Sequence, residues 1–151
     1  MVPLSPSSDP LEIAVAAIGS RFASYRPRLG GAFILGERAL RYWVLRDIFE
    51  TILGWPSHAI VVGESYDALL LDSRNAPVIY LETKDYQREA PPQEIAAAER
   101  RLAGLQSLEL LVFTNVSTWT MQTRAGDRLS WRPGQPSAAL FDRLAYRRFS
   151  G

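Results

Sequence analysis

The sequence predicts an α/β sandwich, a mixed central β-sheet flanked by helices in the order ααβββαββα. Three observations carry this. Segments with apolar residues at helical spacing alternate with short apolar runs of strand length. Two of those runs, Ala68–Leu71 and Pro77–Leu81, flank a Ser-Arg-Asn turn and read as a hairpin. A later run, residues 108–115 (LELLVFTN), is apolar almost throughout, as suits a strand buried in the middle of a sheet. At 151 residues and 47% hydrophobic content, the chain fits one compact domain with a real core, expected over residues 11–151.

Residues 1–10 (MVPLSPSSDP) are rich in proline and serine and read as a flexible N-terminal arm. Asp9-Pro10 supplies a cap and a first-turn proline for a helix from Leu11 to Tyr25, whose Leu11, Val15, Ile18 and Phe22 recur on one face. Arg26-Pro27-Arg28 and Gly30-Gly31 are expected to end it. A second helix is expected from Gly36 to Leu53, closed by Gly54 with Pro56 soon after. On it Leu40, Val44, Leu45, Ile48 and Ile52 form one broad apolar arc, at about 100° per residue. Glu37 falls inside that arc at the helix start, whereas Glu50 faces away. The helix dipole favours a carboxylate there, and Arg41 one turn on offers an i,i+4 salt bridge. Residues 58–65 (HAIVVGES) read as the first strand, with His58 a plain turn residue at its far end and Glu64, near Asp67 in sequence, a rim charge or a spare ligand.

The hairpin, residues 66–84 (YDALLLDSRNAPVIYLETK), is where the chemistry concentrates. Alternation along a strand puts Glu82 and Lys84 on one face with Val78 and Tyr80, and Asp67 with Leu69 and Leu71. If the two strands pair, two carboxylates and an ammonium meet at one end of an apolar hairpin. Such a cluster is costly to bury unless neutralised, and a divalent cation would neutralise it. Lys84 is also the only lysine among 17 cationic side chains. Arginine serves everywhere else, and a lysine can orient a water as the ammonium or take its proton as the amine, where a guanidinium stays protonated. The plainer reading of Lys84 is a surface pair with Asp85 or Glu82.

Beyond Lys84, residues 85–93 are polar and lead through Pro91-Pro92 into an alanine-rich helix from Pro92 to Leu105. Gln87 and Arg88 are candidate phosphate or base-edge contacts, or simply a solvated loop. The buried strand 108–115 is followed by a Val116-Ser117 turn and a strand over Thr118–Thr123. Arg124-Ala125-Gly126-Asp127 is a turn. The stretch RLSWR sets Trp131 between Arg128 and Arg132. Ser137 is placed to cap a last helix, Ala138–Phe149, with Leu140, Phe141, Leu144 and Ala145 inward and Arg143, Arg147 and Arg148 outward. Those arginines with Arg128 and Arg132 make the strongest local basic patch. Their guanidiniums suit phosphates, and Trp131 suits stacking on an unpaired base. A solvated helix face explains the same residues.

Other classes of function are excluded. No cysteine means no disulfide, zinc-thiolate site or thiol nucleophile. A single histidine, His58, rules out a His-rich metal centre. No phosphate loop with a following Lys-Ser/Thr is present, so no ATP-driven motor is encoded. No run reaches membrane-span length and the N-terminus has no signal-peptide layout, so a cytoplasmic location is expected. The net charge of +1 gives no global pull on nucleic acid, and any such contact must come from local arginines.

The spacing Asp67, about a dozen residues, then Glu82-Thr83-Lys84 resembles the core motif of the PD-(D/E)xK restriction-endonuclease-like nucleases. Tyr66 stands where that family often has proline. The likeness extends to Glu37-x-x-x-Arg41 and Ile52-Leu53-Gly54-Trp55-Pro56, and to the apolar strand ending Thr114-Asn115 before a short turn and Trp119. These are similar to the N-terminal nuclease domain of type I restriction-enzyme motor subunits and related modification-dependent enzymes. The likeness covers roughly residues 36–122. Some relatives carry a glutamine and a tyrosine one turn apart on the following helix; here Gln93 is followed at that spacing by Ala97. The resemblance implies a restriction-endonuclease-like core and metal-dependent endonuclease activity on DNA, in restriction or other DNA processing. It implies Mg²⁺ (or Mn²⁺) on Asp67 and Glu82 with the Thr83 carbonyl, Lys84 positioning the attacking water, and Glu37 joining the metal site. Partners would be DNA and a helicase/translocase or methyltransferase subunit. A nuclease-like scaffold that binds DNA or a partner without cutting is the alternative.

Overall fold

The computed structural model describes residues 9–29, 36–64 and 66–151. The arm residues 1–8, Gly30-Gly31 and Ser65 of the first expected strand lie outside the described residues. Helix α1 spans Pro10–Leu29. Asp9 caps it as expected, its Oδ1 accepting from the Leu11 and Glu12 amides at 3.0 and 3.4 Å. The helix runs through Pro27 and ends later than predicted. A proline in the last turn forfeits the bond to the Ala23 carbonyl but leaves the turn's exposed side chains unaffected.

Helix α2, Glu37–Trp43, continues without a break into a π-helical stretch, Val44–Glu50. There the backbone bonds widen by one residue, as in Thr51 N–H to Arg46 O at 3.2 Å and Leu53 N–H to Ile48 O at 2.8 Å. The widening keeps Val44, Leu45, Ile48 and Phe49 all buried. Gly54 closes the element at φ +79°, a left-handed conformation suited to glycine.

Six strands form one sheet in the sequential order β1 (Ile60–Val62), β2 (Ala68–Leu71), β3 (Pro77–Thr83), β4 (Leu110–Thr114), β5 (Trp119–Thr123) and β6 (Arg128–Trp131). All neighbours are antiparallel except β3 and β4, which are parallel and joined by helix α3, Pro92–Gly104. The mixed sheet and the hairpin agree with the sequence reading. β6 does not appear in that reading, which took Arg128–Arg132 only as a basic stretch. Its alternation, Leu129 and Trp131 towards the core and Arg128 and Ser130 outward, is a period-two pattern that pairs with β5. The first strand is shorter than expected because Ser57–Ala59 forms a 3₁₀ turn ahead of it.

The larger core lies between one sheet face and α1, α2 and the C-terminal segment. It joins Leu70, Ile79, Leu81, Leu110, Val112 and Met121 to Leu11, Phe22, Leu40, Ile48 and Leu140. The smaller core, on the other face, holds Tyr80, Leu111 and Phe113 under Ala98 and Leu102 of α3. Val78 and Leu71, expected on the face of Tyr80 and Leu69, pack in the larger core instead. The register shifts between Leu70 and Leu71, and a bulge there breaks the alternation.

The last helix, α4, spans Ala138–Leu144 and gives way to a 3₁₀ turn at Tyr146–Arg148, so the single helix expected to Phe149 is divided. Ser137 precedes α4 but does not cap it with its side chain; its hydroxyl donates to Asp9 Oδ2, linking the start of α4 to the start of α1.

Candidate active site at the end of the parallel strand pair

Because β2 and β3 are antiparallel, the start of β2 lies beside the end of β3, with Ala68 opposite Leu81. One residue before Ala68, Asp67 therefore reaches the level of Glu82 and Thr83. Its Oδ2 accepts from the Thr83 amide at 2.7 Å and the Thr83 hydroxyl at 3.1 Å. Its Oδ1 accepts from Arg41 Nη1 at 3.3 Å. The i,i+4 partner expected for Arg41, Glu37, is thus displaced by Asp67 as the observed ion-pair partner. Tyr66, in the place of the motif proline, lays its ring on Gly63, where a Cβ would sit 2.3 Å from the ring.

Glu82 shares its face with Tyr80, whose hydroxyl donates to Glu82 Oε1 at 3.3 Å and accepts from Arg101 Nη1 at 2.6 Å. Glu82 Oε2 is buried with no hydrogen-bond partner. Burial raises the Glu82 pKa above the ordinary glutamate value, the Lys84 charge opposes this, and Asp67 and Glu94 add to it. Burial and the Glu82 charge push the Tyr80 hydroxyl up to about 12 against the pull of Arg101.

Lys84 is 9% exposed, which sets aside the reading as a surface lysine. Its backbone N–H extends the parallel ladder to the Thr114 carbonyl at 2.8 Å, and its ammonium lies against Glu94 and 4.0 Å from Glu82 Oε2. Asp85, the other partner considered for it, stands 3.9 Å from Arg26. Burial alone would lower the lysine's pKa, yet Glu94, Glu82 and Glu37 together raise it above its ordinary value. Lys84 is therefore an ammonium at neutral pH, suited to orienting a water and offsetting charge but not to taking a proton. Glu37, at the start of α2, is half-buried and felt through its charge. Glu94, to which the sequence reading gave no role, is a member of this cluster. Its position in the first turn of α3 was visible, but its reach back to Lys84 depends on how the Asp85–Pro91 loop folds.

Among the described residues, no three histidine or acidic side chains converge on one cation position. Mg²⁺ that keeps most of its waters needs only one or two carboxylates. Asp67 and Glu82, whose Oε2 is buried without a hydrogen bond and 4.0 Å from the Lys84 ammonium, are the two carboxylates that would form that minimal set. The Thr83 amide points to Asp67, and in a strand the carbonyl of the same residue leaves on the same side.

The nucleic-acid candidates divide. Trp131 is 2% exposed and its indole N–H donates to the Gln135 carbonyl at 2.9 Å, so it is a core residue and cannot stack on a base. Gln87 and Arg88 are exposed, with Gln87 at φ +62° in a tight turn. Arg128 and Arg132 are exposed and line a cleft with Lys84 and Arg88. Arg143 and Arg148 line a different depression, with Asp72 and Arg124, and Arg147 a third, so the single basic patch expected of these arginines is divided.

No family model matches the chain, and no curated protein matches it. Among solved structures, a chain of the cryoEM structure of a DrdV–DNA complex matches with a TM-score of 0.56 and 16% identity, over 88% of this chain and 96% of that one. At that identity the likeness is one of fold: the two chains share a mixed α/β architecture. No described helix is long and apolar enough to cross a membrane.

Proposed function

We propose that this chain is a metal-dependent DNA nuclease with a restriction-endonuclease-like core, hydrolysing phosphodiester bonds in restriction or other DNA processing. The observation that carries the proposal is Lys84. The chain's one lysine is buried at the end of the parallel strand pair, beside Glu82 and on the strand whose Thr83 holds Asp67. The fold likeness to a chain found in a complex with DNA supports the same reading.

In this reading Asp67 and Glu82 would hold Mg²⁺ (or Mn²⁺), with the Thr83 carbonyl as a further ligand. When bound, the cation supplies positive charge at the phosphoryl oxygen and a more acidic water. Lys84, kept protonated by its acidic neighbours, orients the attacking water and offsets charge on the pentavalent transition state. Arg41 and Thr83 fix the Asp67 carboxylate, and Tyr80, itself held by Arg101, does the same for Glu82. Glu37, whose charge reaches Lys84, would act on the water or a second cation. A helicase/translocase or methyltransferase subunit would supply the extended DNA contacts that a chain of net charge +1 lacks.

One observation favours a second reading, a scaffold that binds DNA or a partner without cutting: both Asp67 oxygens are already hydrogen-bonded within the protein. Titration calorimetry with Mn²⁺ separates the two. The nuclease reading expects a binding isotherm that Asp67→Ala and Glu82→Ala each abolish. An isotherm absent from the unsubstituted protein, or unchanged in both variants, rejects it in favour of the scaffold.

A further inference from the structure

A cleft of about 300 Å³ opens directly beside Lys84, between the first turn of α3 and the outer face of β5 and β6. Its floor follows from strand alternation. Trp119, Met121 and Trp131 are buried in the larger core, so Thr120, Gln122, Arg128 and Ser130 are left on the opposite face. Thr120 faces Ser130 and Gln122 faces Arg128 across the two strands. The side chains of α3 cover Tyr80, Leu111 and Phe113, and the core beneath the helix includes no residue of β5 or β6. This polar quarter of the sheet is therefore uncovered.

Three guanidiniums, those of Arg88, Arg128 and Arg132, line the cleft, in a chain whose overall charge is only +1. Glu89 is the single carboxylate in the lining. Arg128 stands 3.7 Å from Glu99, but both side chains are exposed, and such a pair costs little to exchange for another anion. Planar guanidinium forks over hydroxyls and an amide are the chemistry of phosphate and sugar contact.

Resting on the nuclease reading, we propose that this cleft seats the DNA backbone on one side of the cleaved bond, with Arg88, Arg128 and Arg132 on successive phosphates. The occupant is a polyanion and not a small ligand, because three guanidiniums and the Lys84 ammonium line the cleft against one carboxylate. Contacts of this kind position the strand and carry no base preference.

The test is fluorescence anisotropy of a labelled duplex with the full chain in EDTA, where no cleavage occurs, over a salt titration. Each neutralised phosphate contributes about 0.9 to the slope of log K against log salt on duplex DNA. Arg88→Ala, Arg128→Ala and Arg132→Ala should each lower the slope by about 1, and the triple variant by about 2–3 with at least a tenfold loss of affinity at low salt. Arg143→Ala and Arg148→Ala, in the other depression, should leave the slope unchanged. The triple variant binding with the slope of the unsubstituted protein would overturn the proposal, as would tighter binding of a polyglutamate peptide than of DNA by the same arginines. The outcomes also separate this site from the nuclease reading. Cleavage with an arginine-independent slope rejects the cleft alone, whereas arginine-dependent binding without cleavage supports the cleft and rejects hydrolysis.

Discussion

Lys84 and Glu82 hold opposite places in the energetics of the fold. The Glu82 pKa is raised with every neighbour included, so its ionised form is disfavoured in the folded protein even beside Lys84. The folded state thus binds this proton more tightly than the unfolded chain, and stability falls as pH rises from the ordinary glutamate range through the raised value. Glu82→Gln is therefore expected to raise the melting temperature at pH 7, by ~2–4 °C for each 1 kcal/mol gained, while removing Mn²⁺ binding. A lower melting temperature in calorimetric scans would contradict this account of the cluster. Lys84 has the other sign: its raised pKa makes its ion pairs stabilising at neutral pH, and that contribution is lost only as pH rises through a value above the ordinary lysine range. Activity should accordingly show no alkaline loss from this group below that range. Lys84→Arg should not restore function, since a planar fork cannot take the place of a compact ammonium between Glu82 and Glu94. That Asp67, Glu82 and Lys84 meet at one end of the hairpin was legible in the sequence, because strand alternation and one unusual lysine marked them. Glu94 and the Arg41–Asp67 pair were not, because both depend on how separate elements meet.

At the scale of elements, the hairpin was readable almost residue by residue. Asp72 Oδ1 accepts from the Arg74 and Ala76 amides, both at 2.9 Å, and Asn75 takes φ +64°, as a tight turn asks of such residues. The π-helical stretch after Trp43 was not readable, since its apolar arc fits an α-helix nearly as well. β6 was not legible as a strand, since an alternation of only four residues with arginine at its start also fits a solvated basic loop. Arg124 shows what a turn reading leaves out. Its guanidinium donates to the Leu102 and Leu108 carbonyls at 2.9 and 2.8 Å, tying the end of β5 to the loop that leaves α3. Arg124→Ala should destabilise the protein by about 2–3 kcal/mol in urea titrations, the order expected for charge-assisted bonds to otherwise unpaired carbonyls. A change under about 0.5 kcal/mol would show that water replaces them. α1 supports the site from behind: Gly19 leaves room for Tyr86, whose hydroxyl would lie 2.7 Å from an added Cβ. Gly19→Ala should shift the loop after Lys84 and lower activity more than stability.

For the molecule as a whole, the sheet organises everything else. Its one parallel pair needs a helical crossover, and that crossover, α3, brings Glu94 back over the end of β3. The antiparallel neighbour brings Asp67 to the same place from the other side. A buried charge cluster at that junction costs stability, and the fold tolerates it by the size of the core around it. The mixed sheet was legible from the run of apolar segments; the separation of the arginines was not, since it depends on which end of the sheet each strand and helix reaches. The most direct measurement is conversion of supercoiled plasmid to nicked circles by the purified chain in Mn²⁺, alongside Glu82→Ala and Lys84→Ala. The account predicts nicking by the unsubstituted protein, none in EDTA, and a loss of about 10²–10³-fold or more in each folded variant. Full activity in Lys84→Ala would contradict it.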